Sequence, residues 1–237
     1  MLTIRRAQDR GHSDHGWLQS HHSFSFAEYY DADNVEFGAL RVINEDTVAP
    51  GTGFGTHGHR DMEIISYVLE GELQHKDSIG NGSVIRPGDV QRMSAGRGVL
   101  HSEFNPSSDL PVHFLQIWIT PNVFGIAPSY EQKHFRAQDL RGRLLLVAAG
   151  DNDDGVLKIH QDARLYAGLL DGAVQVRLDL APDRLAYVHV ARGKVRANGM
   201  ELSHGDGLKI TSTASVVLSG GRAGEVLVFD LPGAQPG

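Results

Sequence analysis

The sequence predicts an all-β fold of sandwich or barrel type, built as two domains. Three observations predict it. Short β-branched and aromatic runs recur along the 237 residues, broken by Gly, Pro, Asn and Asp. Helix-length amphipathic windows are nearly absent. The second half repeats the layout of the first.

In the first half, strands are expected near 37–43 (FGALRVI), 62–69 (MEIISYVL), 72–76, 83–86, 90–93 and 112–119 (VHFLQIWI). Residues 120–142 carry Pro121, Gly125 and Pro128, then the charged stretch EQKHFRAQDLRGR, and read as a crossover or linker. The domain boundary falls there, giving units 1–135 and 136–237. In the second unit, strands are expected near 143–149, 156–160, 165–170, 173–180, 185–190, 194–197, 207–211, 215–218 and 225–230.

The repeat has a definite register. YVLEGEL and a later PGDV in the first half answer to HVARGKV and HGDGL in the second, so Gly71 matches Gly193 and Gly88 matches Gly205. Glycine at such turns adopts positive φ at little cost.

Composition removes several function classes. Hydrophobic content of 41% and charged content of 22% are those of a globular protein. The formal net charge of −7 argues against gripping nucleic-acid phosphates or an anionic membrane. The chain has no cysteine, hence no disulfide, no thiolate metal site and no cysteine nucleophile. Its longest plainly apolar run, LLLVAA at 144–149, falls far short of the roughly 20 residues of a membrane span. The stretch MLTIRRAQDRGH has no apolar region of the kind a secretory signal carries. A cytoplasmic protein is expected, without direct nucleic-acid or membrane binding.

Two short motifs carry chemistry. His57 and His59 stand two apart in GTHGHRDMEIISYVLEG, and His101 and Glu103 stand two apart in SAGRGVLHSEFN. On a strand, alternate residues share a face and lie about 6.6 Å apart at Cα, which suits two side chains closing on one ion. Two such strands facing across a barrel would supply three imidazoles and one carboxylate. Counting from Gly193 and Gly205, the second copy has Asp179, Ala181, Leu218 and Gly220 at the corresponding places. One metal site and one scaffold domain would look like this.

GTHGHRDMEIISYVLEG resembles the first conserved motif of the cupins. GDVQRMSAGRGVLHSEFN resembles the pirin version of their second motif. RGHSDHGWLQSHHSFSFAEYYD and HFLQIWI are also similar to pirins. The resemblance implies two cupin-type (jelly-roll) β-barrel domains, a bicupin. Residues 1–135 would be the metal-binding domain, and 136–237 a degenerate one without metal. It implies His57, His59, His101 and Glu103 as ligands. The general cupin pattern expects a Glu soon after His-x-His. Glu63 is near that place but one residue early, with Ile64 at the counted position, so it should point the other way.

A set of three His and one carboxylate suits Fe(II), Mn, Co, Ni, Cu or Zn, and the pirin resemblance favours iron. With neutral imidazoles, such a divalent site carries about +1, which favours an enolate or catecholate. Bacterial pirin-like proteins resemble flavonol dioxygenases, which open quercetin and release carbon monoxide. The implied substrates are a flavonol and O2, with Glu103 as the catalytic base that takes the 3-hydroxyl proton. Two other readings fit the same barrel: a metal-bound, redox-responsive regulator acting through protein contacts, and a zinc isomerase. A monomer is expected. His12, His15, His21 and His22 are assigned structural or pocket-lining roles. His75, His134, His160, His189 and His204 are expected to be surface or satisfied residues. His113 and Gln116 face opposite ways on one strand, so only one can line the pocket.

Overall fold

The computed structural model describes residues 1–150 and 155–233. Its strands run in order as β1 (Leu2–Arg5), β2 (Gly11–Asp14), β3 (Leu18–His22), β4 (Leu40–Val48), β5 (Gly53–His59), β6 (Glu63–Glu70), β7 (Leu73–Asp77), β8 (Gly82–Ile85), β9 (Asp89–Ser94), β10 (Val99–Phe104), β11 (Val112–Ile119) and β12 (Ser129–His134). After a one-turn helix α1 (Ala137–Leu140) come β13 (Leu145–Ala149), β14 (Leu157–Lys158), β15 (Arg164–Leu170), β16 (Val176–Asp179), β17 (Leu185–Ala197), β18 (Met200–Ser203), β19 (Gly207–Ile210) and β20 (Ser215–Leu231). The chain is nearly all β and forms two cupin domains. No helix among the described residues is long and apolar enough to cross a membrane.

The first domain pairs a seven-stranded sheet, β12-β9-β6-β11-β4-β3-β2, with a four-stranded one, β5-β10-β7-β8. The second is built on the path β1-β19-β17-β20-β15-β13-β14, with β16 and β18 alongside β20 and β17. The repeat is visible in the backbone. Gly71 and Gly193 have φ of 76° and 66°, and Gly88 and Gly205 have 92° and 78°.

Several expectations need correction. The strands expected at 185–190 and 194–197 are one bent strand, β17, whose register shifts around Gly193 let it pass through the turn position. Likewise 215–218 and 225–230 are both parts of β20. The linker at 120–142 contains β12, which pairs with β9 across Tyr130 and Met93. Its sequence SYEQKH is polar because every position is at least partly exposed, so hydrophobic alternation could not reveal it. Strands β1, β2 and β3 were not expected either, because polar residues fill much of their length. Strand β1 crosses the expected division of 1–135 from 136–237, since Leu2 pairs with Ile210 at the edge of the second domain's sheet.

Strand alternation places the core. On β4, β6 and β11 of the first domain, Ile43, Ile65, Tyr67, Leu115 and Ile117 point away from their own barrel. They pack on Leu165, Tyr187, Leu227 and Phe229 of the second domain in one continuous cluster. The opposite face holds Val48, Val68, Val112 and Phe114 inside the first barrel. The second barrel is filled with Val188, Val190, Val226 and Val228. Burial at roughly 25 cal/mol per Å² of apolar surface makes the joint between domains part of the core rather than a loose contact.

An ionic cluster sits at the edge of that joint, with Glu45 and the Arg10 guanidinium buried and His204 exposed. Glu45 accepts from Arg10 at 2.7 Å, from His113 at 2.9 Å and from His204 at 2.8 Å. Burial alone would raise the Glu45 carboxyl, but hydrogen bonds from His113 and His204 and the Arg10 guanidinium hold it well below the usual carboxylate range. His204 also donates from Nδ1 to the Ala191 carbonyl at 2.9 Å. Both its ring nitrogens therefore face acceptors, which requires the imidazolium, and the Glu45 bond raises its pKa accordingly. His189, expected to be surface or satisfied, is neither. It is fully buried on the same face with both ring nitrogens unpartnered, and burial pushes it down to about 3.

Replacing Glu45 leaves Arg10 and His204 unpaired in this joint. We expect Glu45→Gln to cost about 3 kcal/mol, as loss of one partner of a buried ion pair does, read as a lowered urea midpoint. A depressed carboxyl contributes above its ordinary value of 4.5, and a raised imidazole below its ordinary value of 6.5. The gap between wild type and Glu45→Gln should therefore be widest between these values. It should shrink as pH rises through the raised His204 pKa, leaving the Arg10 share. An equal gap at pH 6 and pH 9 would remove His204 from the account.

Candidate metal centre

The two short motifs lie on neighbouring strands. β5 and β10 pair antiparallel, with His57 opposite His101 and His59 opposite Val99. The expectation that the motifs face each other across the barrel is thus corrected: they share one sheet, and the closest approach is lateral. The register shifts between His101 and Glu103, so Glu103 lies opposite Phe54. Such a bulge re-aims side chains at a barrel rim. Gly53 permits this close pairing, because a Cβ there would meet the Glu103 carbonyl oxygen and come within 2.6 Å of the Phe104 Cα.

The imidazoles of His57, His59 and His101 converge, each offering a nitrogen within 4.8 Å of the others. Ring centroids stand 4.5 Å apart for His57–His101 and 4.8 Å for the other two pairs. His57 Nδ1 faces the Gly55 carbonyl at 2.8 Å and must donate to it, which leaves Nε2 with its lone pair. That Nε2 lies 3.1 Å from His101 Nε2. Burial, then the neighbouring imidazoles, pushes His59 down to about 4 and His101 down to about 3. The rings are held neutral, as metal ligands must be. Two nitrogens at 3.1 Å match the edge of a right-angled pair of roughly 2.1 Å metal–nitrogen bonds. The donor set therefore fits a divalent ion.

Glu103 is buried beside this group. Its carboxylate accepts from Gln116 Nε2 at 2.6 Å and from Ser66 Oγ at 3.0 Å. It comes within 4.8 Å of a nitrogen of His101 and of His75. His75, expected to be surface or satisfied, is fully buried with Nδ1 unpartnered. Glu63 points toward the other domain, accepting from Ser94 Oγ at 2.8 Å with His160 Nδ1 at 3.3 Å, while Ile64 joins the core under the site. Gln116 lines the pocket and His113 the domain joint, which resolves the choice between them.

His57, His59 and Glu103 line a cavity of about 540 Å³, within the usual range for small-molecule sites. One wall is aromatic. Trp118 meets His59 edge-on at 5.0 Å and Phe26 at 5.4 Å, and Trp17 meets Phe54 at 5.2 Å. Another wall is polar: His22 Nδ1 is 2.8 Å from Asn44 Oδ1, and Ser20 donates to Asp46. Burial, with Glu103 and Glu45 nearby, raises the Asp46 carboxyl to about 7 despite that bond, so near neutrality it can donate as well as accept. Of the N-terminal histidines, His15 and His22 line the cavity, while His12 and His21 stack at 4.7 Å beside it. From sequence, the wall candidates were the N-terminal histidines and one of His113 and Gln116; the aromatic wall and the Asn44 and Asp46 side chains were not named. The available signal was alternation on paired strands, which puts Asn44, Asp46, Gln116 and Trp118 on one face.

Residues 3–119 match the family described as Pirin, and residues 146–231 match the quercetinase C-terminal cupin domain. The quercetin 2,3-dioxygenase of Escherichia coli K12 is 47% identical over 98% of this chain and 99% of its own length. A pirin-like protein of Caulobacter vibrioides is 42% identical over 93% of this chain and 95% of its own. The crystal structure of an Escherichia coli bacterial pirin in complex with nickel(II) superposes with a TM-score of 0.94 at 46% identity, covering 99% and 100% of the two chains.

The convergence of three imidazoles yields a stoichiometric expectation. Elemental analysis should find one divalent ion per chain after reconstitution. His59→Ala should lose the ion while keeping the far-UV circular dichroism, because the barrel has its own apolar core. Two ions per chain, or none, would contradict the site.

Proposed function

The chain belongs to the pirin family, and on that premise we propose that it is a metal-dependent dioxygenase that opens flavonols such as quercetin with release of carbon monoxide. The observation that carries this reading is the convergence of His57, His59 and His101, two of which, His57 and His59, line an aromatic-walled cavity. These histidines and Glu103 are the proposed ligands. When bound, the ion supplies Lewis acidity toward the flavonol 3-hydroxyl and redox capacity toward oxygen. Fe(II) is the proposed element, in a cytoplasmic monomer, and metal analysis of protein purified without a chelating resin tests the element.

The chain's own groups divide the remaining work. Trp118, Phe26 and Phe54 offer faces and edges to flat rings and keep water from the reacting end. The Ser20–Asp46 and His22–Asn44 pairs offer hydrogen bonds to ring hydroxyls. Glu103 takes the 3-hydroxyl proton on a carboxylate oxygen. Gln116 and Ser66 fix that carboxylate in place, so little reorganisation is needed when the proton arrives.

The direct test is quercetin consumption with and without oxygen, with carbon monoxide measured. Oxygen-dependent loss with equimolar carbon monoxide is expected, and consumption without it would overturn the reading. Glu103→Gln should keep some metal and lose on the order of 10² to 10⁴ in rate if the residue is the general base. The loss should shrink at higher pH, where the flavonol ionises in solution. Equal rates at neutral pH with metal retained would rule Glu103 out as base.

A further inference from the structure

Each imidazole that binds a metal through one nitrogen has a second nitrogen to satisfy, and that partner commonly fixes the tautomer and aims the ring. His57 has such a partner in the Gly55 carbonyl. His101 does not: its Nδ1 is buried without a hydrogen bond. One other imidazole nitrogen beside it is in the same condition, Nδ1 of His75. The two rings lie 5.3 Å apart at their centroids.

The surroundings settle which of the two should donate. His75 Nε2 faces Asp77 Oδ2 at 3.1 Å, and both side chains are fully buried. Asp77 is already anchored, with Oδ1 accepting from the Ile79 and Asn81 backbone amides at 3.0 and 2.9 Å, and Oδ2 from Asn81 Nδ2 at 2.9 Å. An anchored carboxylate accepts, so His75 carries its proton on Nε2 and presents a lone pair on Nδ1. Glu103 is held by Gln116 and Ser66, and no hydrogen bond joins it to His101 Nδ1. Strand pairing sets all four residues on one face, with His101 opposite Asp77 and Glu103 opposite His75. Tyr130 packs on the His75 ring at 4.9 Å and limits its rotation.

We propose that Asp77 and His75 form a positioning relay for the metal centre that closes when the ion binds: the two unpartnered nitrogens then meet, with His101 donating from Nδ1 to His75 Nδ1, His75 donating from Nε2 to Asp77, and His101 Nε2 thereby left bare and aimed at the ion. The inference rests on His101 being a ligand. His75 touches neither substrate nor ion, and acts through His101 alone.

The test uses the full chain and Co(II) as probe, with affinity measured by competition against a chelator. His75→Phe keeps an aromatic ring against Tyr130 but has no acceptor, and should weaken Co(II) binding about 10- to 100-fold, as loss of such partners does. His75→Gln can accept from His101 through its side-chain oxygen, and should recover most of that loss. Equal affinity for wild type and His75→Phe would overturn the proposal, as would equal losses for Phe and Gln, which would mark a packing role. Nitrogen-15 NMR of the Zn(II)-loaded wild type is independent of how the variants fold. It should show His101 protonated on Nδ1 and His75 protonated on Nε2 only, and a proton on His75 Nδ1 would refute the relay. A wild-type chain that binds no Co(II) would instead refute the metal reading beneath it.

Discussion

The two-residue period of one sheet governs this molecule. Strands β4, β6 and β11 are covered on both faces, so every residue on them has an assigned side. Odd-numbered Ile43, Glu45, Ile65, Tyr67, Leu115 and Ile117 face the second domain. Even-numbered Asn44, Asp46, Ser66, Gln116 and Trp118 face the cavity side. A one-residue slip of β11 would send Gln116 into the joint and Leu115 onto Glu103. Burial on both faces is what fixes that register.

From this follows a division of polar chemistry between two buried places. On the cavity side, converging imidazoles, with His59 and His101 held neutral, and a hydrogen-bonded carboxylate are arranged to receive a cation. In the domain joint, Glu45 is already matched by Arg10 and the imidazolium of His204. The same residue types thus end in opposite charge states. The cavity histidines have no carboxylate bonded to their nitrogens and crowd one another, whereas His204 donates to an anion and a carbonyl. The second barrel repeats the scaffold with different residues at the corresponding places. Leu218, at the place that answers to His101, belongs to its apolar core.

The sequence by itself determined the fold class, the repeat, the two-residue spacing within each motif and the family. These are local or periodic properties, written in alternation, in glycines at positive-φ turns and in the strings around His57 and His101. The polar edge strands stayed hidden because a half-exposed strand has no apolar face to display, as SYEQKH of β12 illustrates. The direction of Glu63 was also legible, because one residue of offset reverses a strand side chain.

Tertiary structure alone decided what depends on which strands become neighbours. Nothing local tells Gln116 from His113, because either face of a doubly covered strand is buried. The lateral pairing of β5 with β10, the walls from β3, β4 and β11, and the place of β1 in the second sheet are all contacts between distant segments. His75 and His189 read as ordinary histidines in sequence. Their burial with unpartnered nitrogens exists only once β7 lies against β10 and β17 against the joint, because burial is a property of what covers a residue and not of the residue.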